Sequence, residues 1–123
     1  MRAERIASIL RKAEHEGVIE SPDGVGRAEH PLCGDAVEFY ISVREGVIAA
    51  ARFRALACAA AIATSEIAAS LAEGMRVEEA ERLGVEELER HAGGLPEINR
   101  CCKEVGVRAL RRAIQDYRGK ANT

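Results

Sequence analysis

The chain contains no tryptophan and three histidines among 123 residues, so its four cysteines are the feature that needs explaining. They occur as Cys33-Gly34-Asp35, Cys58 and the adjacent pair Cys101-Cys102. Neither Cys-x2-Cys nor Cys-x2-Cys…His-x3-His is present, which removes zinc-finger and ferredoxin readings. Also missing are a Gly-x4-Gly-Lys-Ser/Thr loop, a Ser-centred nucleophile elbow and a His-Glu-x2-His helix, so nucleotide hydrolysis and ordinary hydrolytic chemistry fall away. No apolar run approaches the roughly 18–20 residues that cross a bilayer, and Met1-Arg2-Ala3-Glu4-Arg5 leads into no signal-peptide core. Eighteen Lys and Arg stand against 20 Asp and Glu, a net charge of -2. That balance offers no general basic surface to nucleic acid or anionic lipid.

What remains is one domain, 1–123, of a cytoplasmic protein whose partner is a protein or a small inorganic species. In a reducing compartment the cysteines read as thiolates available for metal or sulfur chemistry rather than as disulfides. Each of them taken alone could also be a small buried hydrophobe.

Ile6, Leu10 and Ala13 recur at helical spacing, predicting an N-terminal helix within 1–16 that stops at Gly17. From Gly17 to Pro31 the pattern is lost, and Ser21-Pro22-Asp23-Gly24 reads as a turn in a loop that delivers Cys33 and Asp35. Ala36 to Val43 alternates as a strand, with Val37, Phe39, Ile41 and Val43 on one face. Arg44-Glu45-Gly46 is a hairpin connection, after which Val47, Ala49, Ala51 and Phe53 share a face opposite Ile48, Arg52 and Arg54. A short third strand is expected before Cys58. An alanine-rich helix is expected from Ala59 to Leu71, two short acidic helices over Val77 to Leu83 and Val85 to Arg90, and a last helix whose stripe is Val105, Ala109, Leu110, Ala113, Ile114 and Tyr117. Residues 118–123 read as a flexible tail. Arg108, Arg111, Arg112, Arg118 and Lys120 read as a solvated helical face or a docking surface.

On this layout Cys58 stands where sheet hands over to helix, a position whose first-turn amides favour a thiolate. Three separated thiolate donors plus a carboxylate suffice for a thiophilic metal centre assembled by folding. Cys101 and Cys102 cannot both enter one tetrahedral set without backbone distortion, because neighbours on a helix point about 100° apart. One can ligate while the other accepts sulfur, or Cys101 simply packs under the helix. His15, His30 and His91 are weaker candidates.

Pro31-Leu32-Cys33-Gly34-Asp35, the segment Phe53 to Ala63 around Cys58, and Leu95-Pro96-Glu97-Ile98 leading to Cys102 follow in an order that resembles the iron–sulfur cluster assembly scaffolds of the IscU and NifU N-terminal-domain family. The resemblance runs from about Gly24 to Tyr117. It implies an α+β domain, a small three-stranded antiparallel sheet packed against four to five helices. It also implies a non-catalytic scaffold for a transient [2Fe-2S] cluster. Its iron would be held by Cys33, Asp35, Cys58 and Cys102, with Cys101 as a further donor. Partners implied are a cysteine desulfurase or other sulfide source and acceptor apoproteins.

Departures refine this. Alanines flank Cys58 where the family has glycines, and Cys101 stands where histidine is common. Leu95-Pro96-Glu97-Ile98-Asn99 differs from the Leu-Pro-Pro-Val-Lys segment read by a dedicated Hsp70-type chaperone, so that partner stays open, as does a homodimer. The longer insertion of the zinc-bearing SufU branch is missing. The alternative is a sulfur-transfer partner of a desulfurase holding zinc at the same ligands.

Overall fold

The computed structural model describes residues 3–30, 34–92 and 100–121, with backbone alone at 3–6, 92, 100–103 and 121. Helix α1 (Ala3–Arg11) precedes strands β1 (Gly24–Glu29), β2 (Ala36–Arg44) and β3 (Val47–Leu56), then helices α2 (Ala59–Ala72), α3 (Val77–Glu81), α4 (Val85–Ala92) and α5 (Arg100–Ala121). The strands form one antiparallel sheet in the order β1-β2-β3, and α2 and α5 cover one face of it. This is the expected α+β architecture.

The β2–β3 hairpin closes through Glu45 and Gly46, both at positive φ, 54° and 79°, the conformation that matches the right-handed twist of the flanking strands. Phe39 pairs with Phe53 across the strands, and their rings lie 5.7 Å apart. With Ile41, Ile48, Leu110, Ile114 and Val105 they are fully buried, each side chain worth about 1.5–3 kcal/mol of apolar transfer. Alanine fills most of α2's buried surface, which lets α5 approach closely. Two hydroxyls there, Thr64 and Ser65, are satisfied within the helix by the Ala61 carbonyl, at 3.0 and 2.8 Å.

Several expectations are corrected. The third strand is not a short piece before Cys58: β3 runs unbroken to Leu56, and the extra strand is β1, inside the stretch read as irregular. Its glycines serve contact rather than flexibility. A β-carbon at Gly26 would sit 2.1 Å from the Ala113 nitrogen and 2.4 Å from the Ala109 carbonyl oxygen, and one at Gly24 2.2 Å from the Ala113 oxygen. Only hydrogen at those α-carbons lets β1 lie on the α5 backbone. The expected face of β3 also breaks. Ser42 pairs with Ala50 but Val43 with Ile48, so Ala49 is an extra residue and this bulge turns Ile48 inward in place of Val47 and Ala49.

Helix α1 stops at Arg11, short of His15. Residues 15–17 instead lie along the outer edge of β3, where Phe53 N–H donates to the His15 carbonyl at 2.9 Å and Gly17 N–H to the Phe53 carbonyl at 2.7 Å. That pairing covers part of an otherwise open sheet edge. At the other end α5 continues through 118–121, where a tail was expected, and Arg118 reaches both Glu81 oxygens at 2.8 and 2.9 Å.

Candidate metal centre

Antiparallel register brings the first two donors together. Ala36 opens β2 opposite Leu56 near the end of β3, so the residue before Ala36 and the residues after Leu56 share one end of the sheet. Those residues are Asp35 and Cys58. Before Asp35 the chain turns sharply: Gly34, at φ +73°, donates its N–H to the His30 carbonyl at 2.8 Å, and His30 N–H donates to the Asp35 carbonyl at 2.9 Å. The β1–β2 loop is thereby pinched at its base, with Cys33 in it. Cys33 itself lies outside the described residues.

Cys58 is the N-cap of α2, in extended conformation, with Sγ accepting from Ala61 N–H at 3.4 Å. Sulfur thus takes the place of the usual cap oxygen. The thiol is in an exposed residue, whereas Asp35 is buried. One Asp35 oxygen accepts the Cys58 N–H at 3.0 Å, and the other lies 3.5 Å from Cys58 Sγ as its acceptor. A hard carboxylate and a soft sulfur therefore face each other at a helix N-terminus, the expected junction site.

Backbone geometry carries the start of α5 to the same end. Gly24 and Gly26 rest on Ala113 and Ala109 of α5, so β1 advances as α5 runs backwards. At roughly 3.3 Å per strand residue and 1.5 Å per helix residue, Gly26 to His30 and Arg111 back to Cys102 both cover about 13 Å. The first turn of α5, with Cys101 and Cys102, is level with the loop that holds Asp35. Gly106, one turn further along α5, packs on Ser65, two turns along α2 from Cys58. Helices α2 and α5 thus both begin at the Asp35 end. The side chains of Cys101 and Cys102 lie outside the described set. Among the described residues, no three His, Cys, Asp or Glu side chains group into a metal site.

The histidines fall elsewhere. His91 lines a cleft with Ser8, Lys12 and Glu66 between α1, α2 and α4. His15 forms a cluster the sequence reading missed: its Nδ1 faces Glu66, its Nε2 lies 2.9 Å from Glu73, and its backbone N–H donates to Glu66 at 3.0 Å. Glu73 also accepts from Arg52 at 2.7 Å and from Ala51 N–H at 2.9 Å. Ionised carboxylates only accept, so a ring between two of them is best satisfied with both nitrogens protonated. Burial opposes that charge, but the hydrogen bonds and charges of Glu66 and Glu73 outweigh it and raise the His15 pKa. The available signal was a Glu at position 66 in an otherwise alanine-rich buried helix.

The basic residues of α5 are largely occupied within the fold. Arg111 donates to the Leu83 carbonyl at 2.7 Å, Arg112 to the Arg27 carbonyl at 2.6 Å, and Lys120 pairs with Asp116 at 3.0 Å. Asp116 in turn accepts Val25 N–H of β1 at 2.9 Å.

A family model described as NifU-like N terminal domain matches residues 2–123. Two Archaeoglobus fulgidus proteins, named iron-sulfur cluster assembly scaffold proteins IscU 1 and IscU 2, are each 38% identical over 117 residues, spanning 95% of this chain and 76% of theirs. A crystal structure of a nitrogen-fixing NifU-like protein (N-terminal) from Brucella abortus superposes with TM-score 0.59 at 25% identity, covering 95% of this chain and 79% of that one. Another solved structure, of a hypothetical protein, has the same fold at TM-score 0.71 and 21% identity, covering 91% of this chain and 95% of that one.

Proposed function

This chain belongs to the NifU-like N-terminal-domain family of iron–sulfur scaffolds, and from that premise we propose that it assembles a transient [2Fe-2S] cluster and passes it to acceptor apoproteins. Scaffolds of this family are not catalysts, and the chain is not an enzyme. The cluster is cargo rather than a resident cofactor.

The observation that carries the reading is the Asp35 carboxylate set against Cys58 at the start of α2. Cys33, two residues before Asp35, and Cys102, in the first turn of α5, supply the other thiolates. Thiolate sulfur suits ferric iron and bridging sulfide, whereas carboxylate oxygen is the poorer match and leaves first when an acceptor thiolate arrives. A site with one weak ligand can build its cargo and still release it.

Sulfur arrives as persulfide from a cysteine desulfurase or other sulfide source. Two electrons from an external reductant convert its outer sulfur to sulfide and return the carrying thiolate. Adjacent helix positions lie about 100° apart, so with Cys102 as the ligand Cys101 is the residue suited to receive that sulfur rather than to ligate. We assign the whole of 1–123 to this one domain and a reducing, cytoplasmic setting to its chemistry; no helix among the described residues is long and apolar enough to cross a membrane.

Anaerobic reconstitution with iron, a desulfurase, cysteine and a thiol reductant tests the proposal. Iron and sulfide in equal amounts, a bridged-cluster absorption spectrum and transfer to an apo-ferredoxin are expected. Zinc retained through that treatment, with desulfurase turnover stimulated and no cluster formed, would instead establish the zinc-bound sulfur-transfer role.

A further inference from the structure

Helix α5 contains two internal glycines past its first turn, Gly106 and Gly119, and each disfavours the helix relative to alanine. Around Gly119 there is open space, so its missing side chain serves no contact. At Gly106 a β-carbon would sit 2.5 Å from Ser65 Oγ, 3.2 Å from Ser65 Cα and 3.3 Å from Ser65 Cβ. Ser65 is fully buried, and its hydroxyl is held by donation to the Ala61 carbonyl at 2.8 Å. Rotating the hydroxyl away would break that bond and still leave the α- and β-carbons in close contact.

This point of closest approach lies near the thiols. Gly106 is four residues after Cys102 on the same face of α5, about 6 Å along the axis, and Ser65 is seven after Cys58, about 10 Å along α2. Resting on the scaffold reading above, we propose that Gly106 is a positioning residue for the cargo site. Its bare α-carbon, seated on Ser65, sets how near the start of α5, with Cys102, comes to the start of α2, with Cys58. Metal–sulfur bonds are about 2.3 Å, and ligand sets tolerate displacements of only about 0.5 Å. A methyl group at 106, 2.5 Å from Ser65 Oγ, forces a displacement of that order.

The test loads the intact chain with Co(II), whose thiolate charge-transfer band reports how many sulfurs bind, and records the melting temperature alongside. Gly106→Ala is expected to lose roughly one thiolate in three from the band and to weaken Co(II) at least about tenfold. Ser65→Gly in the same chain, which removes the 2.5 and 3.3 Å contacts and leaves only the 3.2 Å one to the α-carbon, should restore most of both. Ser65→Ala with Gly106→Ala, which removes the hydroxyl but leaves the 3.2 and 3.3 Å contacts, should fall between and carries the same test if the single variant does not fold. Gly119→Ala should raise the melting temperature and leave the band alone. A wild-type band and affinity in folded Gly106→Ala would overturn the proposal, as would a loss that Ser65→Gly does not relieve or, should the single variant not fold, a wild-type band and affinity in the Ser65→Ala pair. Absence of any thiolate band in the wild-type chain would instead count against the scaffold reading itself.

Discussion

The Asp35 carboxylate accepts the backbone N–H of Cys58 at 3.0 Å and faces its sulfur at 3.5 Å. A single side chain from the β1–β2 loop therefore fixes the cap of α2 and stands beside the thiol that cap presents. The two tasks separate by mutation.

Asp35→Asn keeps an acceptor for Cys58 N–H and removes the negative charge, whereas Asp35→Ala removes both. Stability should fall by about 1–2 kcal/mol in the alanine variant and by less in the asparagine variant, by chemical denaturation. Both should still assemble a cluster, with water or Cys101 completing the site, and both should transfer it to apo-ferredoxin about three- to tenfold more slowly at matched loading. Equal transfer rates in wild type and both variants would reduce Asp35 to a structural loop residue.

The adjacent thiols of α5 should behave differently. Cys102 shares a helix face with Gly106, which packs toward α2, and Cys101 lies about 100° away. Cys101→Ser is expected to retain reconstituted cluster while slowing persulfide loading from a desulfurase; Cys102→Ser is expected to lose the cluster. The reverse result would exchange their roles.

Glycine positions in the sheet and helix give opposite signs for one substitution. Gly26→Ala drives a methyl group into the α5 backbone at 2.1–2.6 Å, where no side chain can rotate away, and should cost about 3 kcal/mol or more. Gly119→Ala meets nothing and should gain roughly 0.5–1 kcal/mol. Denaturant midpoints at constant slope measure both.

Those glycines also explain what the sequence concealed. Strand β2 was legible because Val37, Phe39 and Ile41 alternate with more exposed residues, and the hairpin because Glu45-Gly46 is turn chemistry. Strand β1 was not, since Gly24 and Gly26 look like loop residues until α5 is placed against them. The inward turn of Ile48 depends on the bulge at Ala49, which alternation alone misplaces. At the site, Cys58 as a helix start could be read from the switch to alanine-rich helical spacing. The Asp35–Cys58 contact depends on strand register, and the His15 cluster joins residues 51 and 58 positions apart, beyond the reach of local pattern.

His15 gives the fold a pH dependence. Its pKa is raised above 6.5 by Glu66 and Glu73 despite burial. Its contribution is therefore full below pH 6.5 and is lost as pH rises through the elevated folded value. Burial tends to raise the Glu73 pKa, but the Ala51 N–H, His15 and Arg52 outweigh it and lower it below 4.5. That contribution is present above pH 4.5 and is lost as pH falls. Together they predict greatest stability from this cluster between about pH 4.5 and 6.5, with a decline on the alkaline side. His15→Gln should remove that alkaline decline and cost about 2 kcal/mol at pH 6. An unchanged slope in the variant would show that another group sets it.

The most direct measurement of the scaffold account is the iron and acid-labile sulfide content of wild-type protein and of Cys33→Ser, Cys58→Ser and Cys102→Ser after anaerobic reconstitution, with folding checked by circular dichroism. Equal iron and sulfide in the wild type, and loss of both in each folded variant, is the predicted result. Wild-type iron and sulfide in any one of the folded variants would contradict the assignment of that cysteine, and retention in all of them would contradict the site.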